Sequence, residues 1–313
     1  MNSAPELGVV AIDVGGTGIK AAVLNAAGLV LRQIERPTPV ADGPGTVVER
    51  VRTIARELTG PDVVAGGVVV PGSVDVETGT ALYAANIGWR DVPLRDLLAA
   101  DLGVPVVLEH DVRAAGLAEC LLGRARGVSD CLVVVIGTGI AGVIVSHGVT
   151  VRGATSLAGE IGHVPVYPDG EMCACGQRGC LETYASGAAI ARRYRDRRGG
   201  AAALGAPDIA AARDTDPVAD AVWREAMTAL GIALASATML LDPELFVLGG
   251  GLAAAGGALL DPVREELTRR LAWRPAPAVV LSTCGSRAGQ LGAAILAWQA
   301  AGRTDFSTWA LAA

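Results

Sequence analysis

At 313 residues, 51% hydrophobic and 19% charged, the chain is long enough to bury two cores rather than one. Its net charge of -6, with 26 basic residues against 32 acidic ones, argues against nucleic acid as a main partner, because affinity for phosphate backbones comes from Lys and Arg. There is no basic stretch leading into an apolar run at the N-terminus and no uninterrupted apolar segment of membrane-spanning length, so the expectation is a cytoplasmic protein with reduced thiols and no membrane partner.

Residues 8–14, GVVAIDV, predict a short strand that ends at Gly15-Gly16, and 19–25 and 29–36 predict two more. The apolar spacing Val47, Val48, Val51, Ile54, Ala55, Leu58 predicts a helix over 44–58. VVAGGVVV, 63–70, reads as a buried strand. PVVLEH, 105–110, is another, followed by a helix from Asp111. The pattern then restarts. A strand over 131–137 runs through Thr138-Gly139 into a second strand, AGVIVSHG. RRYRDRRGGAAALGA, 192–206, reads as a charged surface loop. A long Ala-rich helix over 217–240 precedes ELFVLGGG, a strand ending in Gly249, Gly250 and Gly251. PAVVLST is a late strand and GQLGAAILAWQAA a late helix. Strands followed by helices, twice over, predict two α/β domains. The expected division is 1–111, completed by a C-terminal helix at 289–313, and a larger domain over 112–288.

IDVGGTGIKAAV and VVIGTGIAGVIV share one design: an apolar strand, a Gly-Thr-Gly turn and a second apolar strand. A P-loop or a dinucleotide fingerprint would need a helix after the glycines, and neither copy has one. One such hairpin alone reads as an ordinary Gly-rich turn. Two matched copies, with Asp13 at the strand end of the first, instead predict tips facing each other across a cleft. Their backbone N–H groups would cradle phosphate oxygens from both sides.

The stretch GEIGHVPVYPDGEMCACGQRGCLE, 159–182, holds His163, Cys173, Cys175 and Cys180. One nitrogen and three sulfurs suit a closed tetrahedral Zn²⁺ site, structural rather than catalytic. A redox pair is the alternative, but a single residue between Cys173 and Cys175 strains a disulfide. Glu160 stands just before the first ligand and Glu182 just after the last, so one ion would set the spacing of two carboxylates. Cys120, Cys131 and Cys284 are expected to be small buried apolar residues.

These residues resemble a known family. DVGGTGIK, IGTGIAG and LGGGL resemble the two phosphate loops and the adenosine loop of actin-like, hexokinase-type ATPases. GEIGH followed by CACGQRGCLE is similar to the signature of the ROK family of sugar kinases and sugar-responsive repressors, and the likeness runs from about residue 8 to about residue 300. The resemblance implies a two-domain α/β fold of the actin-like, RNase H-like kind with an inter-domain cleft. It implies a kinase that moves a phosphoryl group from ATP to a hexose, with glucose at its 6-hydroxyl as the default. Gly15, Gly16, Thr17, Lys20, Gly137, Thr138 and Gly139 would surround the phosphates, and Gly249–Gly251 the adenosine. Asp13 would hold Mg²⁺ through water, although an Asp beside a turn can also serve only as a cap.

Asp111, at the strand end in LEHDVRAAG, matches the family's catalytic base; its competing reading is a helix cap. Gly72 in PGSVD, Asn86 in NIGW, Glu160, His163 and Glu182 match residues around the sugar. The family usually has Asn where this chain has His110, which is bulkier and can charge near neutral pH. That departure keeps other substrates as alternatives: an N-acetylhexosamine, an amino sugar such as kanosamine, mannose, fructose or a cyclitol, with polyphosphate as another donor. A sugar-sensing regulator without catalysis is the alternative of another class. It would carry a helix-turn-helix before the first phosphate strand, and the strand at residue 8 is expected to leave no room for one. Closed symmetric oligomers are common, so a homodimer or dimer of dimers is expected.

Overall fold

The computed structural model describes residues 6–200 and 204–309. The chain forms two compact units, Met1–Gly123 with Arg287–Ala313, and Arg124–Ser286.

In the first unit β1 (Gly8–Val14), β2 (Gly18–Asn25) and β3 (Val30–Pro37) form an antiparallel meander. Nearly all of β1 is buried, which is why it reads as a continuous apolar run instead of alternating. Helix α1 (Pro44–Leu58) buries the expected stripe of Val47, Val51, Ile54, Ala55 and Leu58. It leads to β4 (Val63–Val70), parallel to β1. Short strands β5 (Ser73–Asp75), β6 (Thr80–Ala84) and β7 (Trp89–Val92) make a separate three-stranded sheet, and α2 (Leu94–Leu102) follows. Elements this short hold too few repeats for periodicity to reveal them. Next come β8 (Val106–His110), parallel to β4, and α3 (Asp111–Leu121). The sheet order is β3-β2-β1-β4-β8.

The second unit repeats this plan. Strands β9 (Cys131–Ile136), β10 (Ile140–Ser146) and β11 (Val149–Thr150) form the meander. Helices α4 (Glu182–Ala185), α5 (Gly187–Arg197), α6 (Ala206–Ala212) and α7 (Pro217–Leu241) precede β12 (Leu245–Gly249). Helix α8 (Gly257–Arg270) and β13 (Ala278–Leu281) close the unit. The order is β11-β10-β9-β12-β13, with β9, β12 and β13 parallel. The duplicated order and directions agree with the actin-like, hexokinase-type α/β class.

Among the described helices, α7 alone is long and apolar enough to cross a membrane, yet 56% of its most apolar window is buried inside the unit. It packs on α8 as a core helix. Pro262 inside α8 cannot donate to the Ala258 carbonyl; that oxygen accepts from the Trp223 indole N–H of α7 at 2.9 Å instead.

Two expectations are corrected. Arg192–Arg197 are not loop but the end of α5, because Ile190 and Tyr194 bury one face while most of the arginines, good helix formers, stay out. Of the remaining stretch, 201–203 lie outside the described residues. The C-terminal helix, α9 (Ala288–Ala300), stops well before 313. Gly302 adopts φ of 88° and donates to the Gln299 carbonyl, while Arg303 N–H reaches back to Trp298, a left-handed helix stop. The tail then buries Phe306 and Trp309, whose indole N–H donates to the Ala26 carbonyl at 2.8 Å. Residues 310–313 lie outside the described residues.

Helix α9 packs on α3, β1 and β4. A Cβ on Gly292 would stand 2.0 Å from the Ala114 carbonyl oxygen, so the α3–α9 approach requires glycine. This packing keeps α3 within the first unit, whose limit falls after Gly123 instead of at 111.

Candidate active site

In the first unit, the candidate residues gather where the parallel strands end. Asp13 on β1 pairs in register with Val69 on β4, and Val70 pairs with His110 on β8. Asp13 and the β8–α3 junction therefore lie at the same carboxyl edge, about two strand spacings, or roughly 10 Å, apart. Lys20 faces Asp13 across the β1–β2 hairpin. Desolvation pushes the Asp13 carboxyl up to about 6, and the Lys20 charge offsets only part of that rise. The first turn of α9 covers the carboxylate: a Cβ on Gly289 would meet Asp13 Oδ2 at 2.5 Å.

The Gly15–Thr17 turn is closed by Gly15 N–H donating to the Gly18 carbonyl at 2.9 Å. Thr38, which sequence reasoning missed, braces it. Its hydroxyl donates to the Gly15 carbonyl at 2.6 Å and its N–H to the Thr17 carbonyl at 3.1 Å. Asn86 lies against the same turn, with its Nδ2 3.1 Å from where a Cβ on Gly16 would stand. Its loop is pinned by fully buried Trp89, whose indole N–H donates to the Pro44 carbonyl. Gly72, at φ of 85°, presses on the Tyr83 carbonyl of β6.

Asp111 is the first residue of α3, and the cap position is held by His110. Asp111 Oδ1 accepts from Val112 N–H at 2.7 Å and lies 3.5 Å from His110 Nε2. Burial, reinforced by the Arg113 charge, pushes the His110 imidazole down to about 4. The expectation that it charges near neutral pH is therefore corrected: His110 is neutral there, since Glu109 counters only part of the desolvation. Glu109 Oε1 accepts from both His110 N–H and Arg113 Nε, each at 2.8 Å. This bracket behind Asp111 was not legible from motif spacing.

In the second unit the Gly137–Gly139 turn is closed by Gly137 N–H donating to the Gly139 carbonyl at 2.9 Å. Gly249 ends β12 beside Val135 of β9, and Gly250 turns at φ of 80° against the Ile136 carbonyl. The structure thus brings Gly249–Gly251 next to the Gly137–Thr138–Gly139 turn.

His163, Cys173, Cys175 and Cys180 converge, with all four candidate donor atoms within 4.8 Å of one another. Cys173 Sγ is 3.9 Å from His163 Nδ1, and Cys175 Sγ is 3.7 Å from Cys180 Sγ. The edge of a tetrahedron with Zn–S bonds of about 2.3 Å is about 3.8 Å, so the spacing fits a bound ion. It is far beyond a disulfide bond. One imidazole nitrogen and three sulfurs are a donor set that suits a closed four-coordinate site. Burial and the neighbouring thiols push Cys180 up to about 12, and burial raises Cys173. Exposed Cys175 is lowered by the Gln177 backbone N–H.

The Cys-bearing loop is also held without metal. Glu171 pairs with Arg192 at 2.5 Å and with Arg193, both on α5, and its N–H donates to the Tyr184 hydroxyl. Glu160 and His163 line a cavity of about 520 Å³ with Pro165, Gln177 and Arg178. Glu182 shares a cavity of about 600 Å³ with Thr138, Cys173 and Arg192. Its Oε2 accepts from Ile140 N–H at 2.8 Å.

A sequence model described as the ROK family matches residues 9–300. The glucokinase of Streptomyces coelicolor is 35% identical over 308 residues, covering 92% of this chain and 96% of that one. Among solved structures, a ROK family glucokinase from Streptomyces griseus in complex with glucose and AMPPNP superposes with a TM-score of 0.83 at 35% identity, covering 93% of this chain and 99% of that one. A ROK hexokinase from Thermus thermophilus gives 0.81 at 34% identity, covering 95% and 99%.

Proposed function

Because the chain belongs to the ROK family, we propose that it is an ATP-dependent sugar kinase that phosphorylates glucose at its 6-hydroxyl. One observation carries the reading. Asp111 opens α3 at the carboxyl edge of the parallel strands β1, β4 and β8, in the same sheet whose first hairpin carries Asp13 and the Gly15–Thr17 turn. A carboxylate there can take the hydroxyl proton as the sugar oxygen bonds to the γ-phosphorus and the bond to the ADP oxygen breaks. Each Gly-Thr-Gly turn, taken by itself, can offer backbone N–H groups and a hydroxyl, Thr17 in one and Thr138 in the other, to phosphate oxygens. Gly249–Gly251 leave room for the adenosine. Mg²⁺, when bound, would supply charge neutralisation at the phosphates, and Asp13 would hold it through the ion's own water shell.

Glu160, His163, Asn86, His110 and the Gly72 loop are assigned to the sugar. His110 offers a neutral imidazole where the usual residue offers an amide. His163, Cys173, Cys175 and Cys180 are assigned to Zn²⁺, which, when bound, supplies a rigid four-coordinate node. We assign the protein to the cytoplasm, where those thiols stay reduced, and to a homodimer.

The test is ADP release in a coupled assay over a panel of hexoses, with Asp111→Asn as control. Turnover with glucose, lost by at least about a hundredfold in the variant, supports the reading. No turnover with any sugar would sink it.

A further inference from the structure

The segment after the last cysteine grips the second phosphate turn at both ends. On one side Ile140 N–H donates to Glu182 Oε2 at 2.8 Å. On the other, Gly187 N–H donates to the Gly137 carbonyl at 2.8 Å. The fit is close: a Cβ on Gly139 would stand 2.6 Å from Glu182 Oε2. The segment before His163 lies on the same hairpin, since Gly142 N–H donates to the Gly159 carbonyl at 2.7 Å. Both ends of the Cys-bearing loop are thus built onto β9–β10.

We propose that Glu182 is a positioning residue for the Gly137–Gly139 turn, fixing the Ile140 amide so that the metal-binding loop and the phosphate turn move as one body. The proposal rests on the reading of that turn as a phosphate site. A carboxylate that only reads sugar hydroxyls would leave nucleotide affinity untouched in the absence of sugar. A carboxylate that holds the turn sets nucleotide affinity before any sugar arrives. Charge is not what the role needs, because Glu182 next to a triphosphate is repulsive; an acceptor for Ile140 N–H is.

The experiment measures binding of AMPPNP with Mg²⁺ and without sugar, by calorimetry, in protein of verified metal content. Glu182→Ala is expected to weaken binding at least about tenfold, which is the loss of about one hydrogen-bonded anchor. Glu182→Gln, which keeps an acceptor, is expected to bind within about threefold of the parent chain or more tightly. Hydrogen exchange at Ile140 gives a second readout: faster in Glu182→Ala, protected in Glu182→Gln. Parent-like AMPPNP affinity in Glu182→Ala, with only sugar affinity lowered, overturns the proposal. Failure of the parent chain to bind AMPPNP at all overturns the phosphate-site reading as well, and is distinguished by that.

Discussion

Arg113 Nε donates to Glu109 Oε1 at 2.8 Å, and the two side chains are only 10% and 6% exposed. This buried pair spans the junction of β8 and α3, with Asp111 between its members. Removing one partner of a buried pair leaves the other charge desolvated, at a cost of about 3 kcal/mol or more. Arg113→Met is therefore expected to lose about that much stability in urea unfolding and to lower kcat with little change in ATP KM. A loss below about 1 kcal/mol would show that the bracket is dispensable.

His110 sets a pH limit. Its folded value near 4 lies below the ordinary 6.5, so the unfolded chain binds the proton first. The stability this neutral imidazole contributes is full above 6.5 and is lost as pH falls through 4. The shift corresponds to about 3 kcal/mol. His110→Asn, which cannot titrate, is expected to close the gap between stability at pH 7 and pH 4.5. Parallel pH curves for the two proteins would contradict the burial argument.

Asp13 has the opposite sign. Its folded value near 6 lies above the ordinary 3.8, so its favourable contribution is full below 3.8 and lost as pH rises through 6. Above that pH its charge costs the nucleotide-free protein about 3 kcal/mol. Asp13→Asn is expected to raise Tm at pH 7.5 while lowering turnover at least about a hundredfold. A variant that is both less stable and active would remove Asp13 from the Mg²⁺ role.

Chelation tests the thiol quartet. Stripping the ion under reducing conditions is expected to lower Tm by at least about 5 °C and to weaken sugar affinity through Glu160 and His163. The loop should not collapse fully, because Glu171 keeps its pairing with Arg192 and Arg193. Metal-free protein with unchanged sugar affinity and Tm would show the ion to be incidental.

Much of the architecture was legible in the chain itself. Both Gly-Thr-Gly hairpins form, because each is an apolar strand pair around a short Gly-rich turn, and such signals are local. The His163, Cys173, Cys175, Cys180 set also converges as its spacing implied. Helix α5 was misread because its arginines, Arg192, Arg195 and Arg197, mask a buried stripe made by Ile190 and Tyr194. The stop of α9 is legible in Gly302, just past the last apolar residue, but the burial of Phe306 and Trp309 beyond it is not, because it depends on packing against distant segments.

What the sequence by itself determined is which groups are present and how they are spaced: two turns, a carboxylate at a strand end, four metal donors. What only the tertiary structure decided is the state and the partners of those groups. His110 is neutral because the packed β8–α3 junction strips its water. Asp13 is driven up because surrounding strands and α9 desolvate it. Glu182 belongs with Ile140, 42 positions away in the chain, and no local pattern records that bond. The reason is physical: turns and ligand spacing are short-range, whereas desolvation and cross-chain hydrogen bonds exist only once distant segments have packed.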